Sequence, residues 1–134
     1  MAIITRMLDT EVYEATTPAG HTVRMDTREP GIRKSQSPPE LLQSALAGCS
    51  AVDVAIILNK RKKTIIDFVI ETTGIRREET PRKFLEIHST YIITSADVTE
   101  DELSKAVALS LEKYCSVAAT LNCKISYSVK IIRP

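Results

Sequence analysis

The sequence predicts one α+β domain spanning residues 1–134, on three observations. The first 26 residues hold only short runs rich in β-branched residues. Two helix-start signatures, Ser37-Pro38-Pro39-Glu40 and Thr99-Glu100-Asp101-Glu102, each open an apolar-periodic segment. The stretches that follow each helix alternate apolar and polar residues, as half-buried strands do. At 134 residues the chain is long enough to bury a core without disulfides.

Taken in order, "AIITRML", "EVYEATT" and "HTVRMD" read as a β-meander, its last two strands joined at "PAG". "TREPGIRKSQS" combines Gly, Pro, Ser and four charges with no apolar period, which marks a loop. Ser37 then caps a helix, with Pro38 at its first position and Glu40 placed to close a capping box. Leu42, Ala45, Leu46, Cys49, Val52 and Ile56 recur at helical spacing as one apolar stripe. Beside it Ser44, Gly48, Ala51 and Ala55 form a ridge of small residues suited to close approach by another backbone. "NKRKK", residues 59 to 63, sets cations at the helix C-terminus, where they complement the helix dipole.

"TIIDFVIETTGIRRE" and "RKFLEIHSTYIIT", separated by "ETP", predict an antiparallel pair. In the second, Leu85, Ile87, Tyr91 and Ile93 share one face, and Glu86, His88 and Thr90 the other, so His88 is expected on a polar face. The capping box at Thr99 opens a helix with Leu103, Val107, Leu111 and Tyr114 on one side and Cys115 at its end. A last strand alternates Cys123, Ile125, Tyr127, Val129 and Ile131 with polar residues.

Composition narrows the function. The formal charge is +1, Lys and Arg numbering 18 against 17 Asp and Glu, so no basic surface points to nucleic acid or to an anionic membrane. No uninterrupted apolar run reaches bilayer length, and the N-terminus carries charges where a signal peptide needs an apolar core, which together predict a cytoplasmic protein. Three scattered cysteines do not form a disulfide framework, and two histidines without a Cys/His cluster predict no metal site.

Cys49 has two readings. A cysteine on an apolar helix face is commonly a small hydrophobe. Here, however, Gly48, Ser50 and Ala51 give it little cover, and a thiolate in that place would be a nucleophile. Asp53, one turn further on, disfavours a thiolate unless a cation offsets it; Arg28 and Arg33 in the preceding loop, and Arg24 on the strand before it, are the candidates. Cys115 could supply a second thiol to condense with a sulfenic acid formed on Cys49. Cys123 is in phase with the inward face of the last strand and is expected in the core.

"SPPELLQSALAGCSAVDV", followed by "EKYCSVAATL" and a final alternating strand, resembles the OsmC/Ohr family of thiol-dependent organic hydroperoxide reductases. The likeness rests on the S-P-x-E-L helix start, the cysteine nine residues after its Glu, and the second cysteine in K-Y-C-S-V, and in element order it covers nearly the whole chain. It implies a swapped homodimer of α+β chains, Cys49 as peroxidatic and Cys115 as resolving cysteine. It further implies organic hydroperoxides as substrates, a small dithiol or lipoylated protein as reductant, and no metal or bound cofactor. Arg28 or Arg33 would match the family's thiolate-supporting arginine. Pro39 stands where peroxidase members carry a glutamate, with Glu40 one position later. Two other readings use the same residues: a redox sensor or apolar-ligand-binding protein, and a homodimeric domain whose cysteines only pack.

Overall fold

The computed structural model describes residues 2–134; Met1 lies outside the described residues. The chain divides into two compact units, Met1–Leu42 and Gln43–Pro134. The mixed α+β architecture expected from the sequence is present, in the order expected.

In the N-terminal unit, β1 (Ile4–Asp9), β2 (Val12–Thr16) and β3 (Thr22–Asp26) form an antiparallel meander. Tyr13 stands opposite both Met7 and Met25. The β2–β3 turn closes through a 2.9 Å bond from the Gly20 amide to the Thr17 carbonyl, and Gly20 there has φ +90°, a conformation that a side chain would disfavour. Beyond β3 the loop wraps around Asp26, which is 1 % exposed. Its carboxylate accepts from Arg28 Nε (3.0 Å), Arg28 Nη2 (2.6 Å) and the backbone amides of Arg28 and Lys34 (3.0 Å each). These bonds, the Arg28 guanidinium first, hold the Asp26 carboxyl well below the usual carboxylate range.

Helix α1 (Pro38–Lys60) starts at the capping box read from the sequence: the Glu40 amide donates to Ser37 Oγ at 3.4 Å, and the Ser37 amide returns a 3.0 Å bond to Glu40 Oε1. No uninterrupted apolar run of α1 is of bilayer length, as expected, but the helix taken whole is long and apolar enough by length and composition to cross a membrane; 22 % of that apolar stretch is buried within the chain. Polar residues such as Gln43, Ser44, Ser50 and Asp53 divide it into short apolar runs, but too few of them are charged to lower the average.

In the C-terminal unit, β4 (Asp67–Arg76) pairs antiparallel with β5 (Phe84–Thr94), and β6 (Lys124–Ile132) lies parallel to β5 on its other side. Parallel neighbours need a crossover. It is supplied by α2 (Glu100–Leu109), a five-residue π-helical turn (Ser110–Tyr114) and α3 (Ser116–Thr120). Thr99 caps α2 with a complete capping box to Glu102. Strand β5 alternates as predicted from Ile87 onward: Ile87, Tyr91 and Ile93 are buried, with Ser89 between them, while Leu85 at the strand's start is 48 % exposed; His88 lies on the opposite face, bonded to Ser126 (2.7 Å) and Ser128 (3.0 Å).

Two apolar clusters fill this unit. One gathers Val54, Leu58, Tyr91, Ile93, Val98, Leu103, Ala106 and Val107. The other is built on Leu46, Ile87, Cys115 and Ala118, with Cys49 and Cys123 packed against it. The buried face of α1 differs from the predicted stripe: Leu46, Ser50, Val54 and Leu58 are buried, while Val52 and Ile56 are exposed. Among the described residues, nothing lies within 4 Å of a Cβ placed on Gly48, so the small-residue ridge is open at that position. A helix apolar on almost every side leaves its period unable to choose the face, and the neighbours choose it instead.

Candidate functional site

Cys49 reaches the site because α1 runs along the sheet with Leu46, Ser50, Val54 and Leu58 against the core, and Cys49 flanks that row, half-buried. Cys115 arrives by another route. The π-turn replaces the last turn of the helix, and the Cys115 amide donates to the Ser110 carbonyl five residues back at 2.7 Å. One extra residue per turn rotates everything that follows. Tyr114, predicted on the packed side with Leu111, is therefore 53 % exposed, and Cys115 instead points inward at 2 %.

The two thiols meet in the second cluster, where Cys49 packs against the group that contains Cys115; both are free. Burial pushes the Cys115 thiol above its ordinary pKa, and the Cys49 thiol beside it adds to the rise. The Ala118 amide, 3.4 Å from Cys115 Sγ, works in the opposite direction. Cys123, expected in the core, packs against the same cluster but is only half-buried.

Arg28 and Arg33 lie in the N-terminal unit, where the structure brings them together: Arg33 Nε donates to the Arg28 carbonyl. Arg28 is engaged by Asp26, and Arg33 Nη1 stands 3.5 Å from Glu40 Oε1. The Ser37 amide and hydroxyl, with Arg33 as a weaker contributor, lower the Glu40 pKa, so Glu40 serves the cap.

Sequence reasoning named Ser50 and Asp53 beside Cys49 but missed Ser110 and the hydrogen bonds that tie the three together. Ser50, next to Cys49, shares a 2.8 Å hydrogen bond with the buried Tyr91 hydroxyl, and Ser110 lies 3.0 Å from Ser50 and 2.8 Å from Asp53. A serine on the inner row of an apolar helix needs a partner, and that requirement was the available signal.

The family model for OsmC-like protein matches residues 31–130. The chain belongs to the OsmC-like family. Protein YhfA of Escherichia coli K12 is 39 % identical over 116 residues, 85 % of each chain. Among solved structures, an OsmC-like protein from Mycoplasma pneumoniae superimposes with a TM-score of 0.84 at 21 % identity, over 98 % of this chain and 96 % of that one. The organic hydroperoxide resistance protein OhrB of Bacillus subtilis gives 0.64 at 14 % identity, over 98 % of each. The OsmC-like fold thus holds across low identity.

Proposed function

We propose that this OsmC-like chain is a thiol-dependent peroxidase for organic hydroperoxides, and the observation that carries the reading is the contact between Cys49 and Cys115. The Cys49 thiolate attacks the distal peroxide oxygen. The O–O bond breaks, an alkoxide leaves and takes up a proton, and Cys49 becomes a sulfenic acid. Cys115 then attacks that sulfur, water departs, and a Cys49–Cys115 disulfide forms. An external dithiol, free or on a lipoylated protein, reduces it by exchange and is itself oxidised.

The environments of the two thiols support this order. Cys115 is buried and its pKa is raised, so it stays protonated and does not compete for peroxide, whereas the more exposed Cys49 meets substrate first. The likeness in fold to an organic hydroperoxide resistance protein is consistent with that chemistry.

The working unit is proposed to be a cytoplasmic homodimer. Val52 and Ile56 on α1 and Ile4 and Met7 on β1 are large apolar residues 48–61 % exposed in the single chain, more than a solvated surface ordinarily carries. Ser50 and Asp53, hydrogen-bonded into the C-terminal unit, favour α1 as a core helix over a membrane span.

Cumene hydroperoxide consumption with dihydrolipoate as reductant tests the reading. Turnover is expected in the parent and in neither Cys49→Ser nor Cys115→Ser. A Cys49→Ser protein as fast as the parent would sink it.

A second reading, a sensor or carrier of an apolar ligand, has one observation in its favour. A cavity of about 480 Å³ lies between α1 and the π-turn, lined by Ile56, Ile57, Leu109 and Tyr114 with Asp53, Lys60 and Arg61. Steady multiple turnovers with a dithiol count against it.

A further inference from the structure

Between the two thiols runs a short polar bridge that the peroxidase chemistry does not itself require. Ser110, 0 % exposed, has two attachments. Its carbonyl accepts the Cys115 amide at 2.7 Å and closes the π-turn, while its hydroxyl reaches α1 at Asp53 Oδ2 (2.8 Å) and Ser50 Oγ (3.0 Å). Ser50 is adjacent to Cys49 in sequence and is bonded at 2.8 Å to Tyr91, which anchors it to β5. One residue therefore holds the backbone of Cys115 with one group and the helix of Cys49 with another. A hydroxyl has a single proton to donate, and of its two acceptors the Asp53 carboxylate forms the stronger, charge-assisted bond.

We propose that Asp53, acting through Ser110, is a positioning residue that locks the π-turn to α1 and so holds Cys115 in disulfide register with Cys49. The inference rests on the two-cysteine reading above and deepens it. The phase shift that turns Cys115 inward depends on the π-turn, whose wider ring is intrinsically poorer than an α-turn and tends to relax unless side chains hold it. The anchoring bond comes from 57 residues away, so it is absent from any isolated α2 segment. Asp53 also borders the cavity beside α1, so its charge sits at an edge where water can solvate it rather than in the closed core.

The test separates register from peroxide chemistry. The reduced protein is equilibrated in glutathione buffers, where one oxidised glutathione takes two electrons and two protons from Cys49 and Cys115 and yields two reduced glutathiones. The Cys49–Cys115 disulfide is quantified by peptide mass spectrometry, and its equilibrium with glutathione gives the effective concentration of one thiol at the other. Because a hydrogen bond to a charged group is at stake, Ser110→Ala and Asp53→Ala are expected to lower it about tenfold or more. Asp53→Asn, which keeps an acceptor of the same shape, should recover part of the loss. Thr99→Ala weakens α2 at its far end and is expected to leave the effective concentration at the parent value, which separates register from general destabilisation.

Parent-like values in both folded alanine variants would overturn the inference, as would a parent that forms no disulfide between these two cysteines. A parent that does not reduce cumene hydroperoxide while the glutathione equilibria shift as described would sink the peroxidase reading and leave the positioning role standing.

Discussion

The two apolar clusters of the C-terminal unit are built on the same helix and the same central strand, and they differ in what they leave open. At the Leu58 end, Val54, Leu58, Tyr91, Ile93, Val98, Leu103 and Val107 have no exposure at all, and the side chains are aliphatic or aromatic. At the Leu46 end the same two elements contribute Leu46 and Ile87, but thiols complete the packing and Cys49 remains within reach of solvent. The bridge from Tyr91 through Ser50 and Ser110 to Asp53 connects the two. The contrast teaches that one end is packed for stability, which allows the other to be built from small, reactive side chains that contribute less to it.

The strongest way to break that division is Leu58→Ala. Emptying a fully closed site should cost about 2–5 kcal/mol in urea unfolding, with alkylation of Cys49 in the folded protein unchanged. Faster alkylation would mean that the two ends are not separate. Next in size is Gly74→Ala at the open end. A Cβ there would overlap the Phe84 ring and lie 2.9 Å from Gln43 Nε2. Since Phe84 packs against the thiol-bearing cluster, a loss of about 1–3 kcal/mol should come with faster Cys49 alkylation. Stopped-flow thiol titration beside urea melts would register both.

A smaller effect, about 1 kcal/mol, is expected from Thr99→Ala, which removes the capping box of α2 and leaves the thiols alone. The smallest concerns acid. The Glu102 pKa is lowered by the Thr99 amide first and by Lys63 in addition, and Asp26, Asp97 and Glu40 are lowered as well. A carboxylate whose folded pKa is depressed contributes stability above its unfolded value, near 4, and loses it as pH falls through the folded one. Urea midpoints should therefore drop between pH 5 and pH 3, and Glu102→Gln should flatten that slope at the closed end. An unchanged slope would remove Glu102 from the account.

Much of this could be read from local sequence. The two capping boxes, the meander with its turn at Gly20, and the alternation of β5 and β6 depend on residues a few positions apart, whose hydrogen bonds and periods are set by near neighbours. The two cysteines were also recognisable, because S-P-x-E-L and K-Y-C-S-V carry the resemblance to the OsmC/Ohr family.

Other features were decided only by tertiary structure. Which face of α1 is buried, the parallel placement of β6, and the outward turn of Tyr114 all depend on partners far along the chain. The contact of Cys49 with Cys115 follows from the same cause. An α-helical period carried through residues 110–114 puts Tyr114 inside. The π-turn shifts that phase, and its side-chain anchors on α1 lie 57 and 60 residues back, beyond the reach of any local pattern.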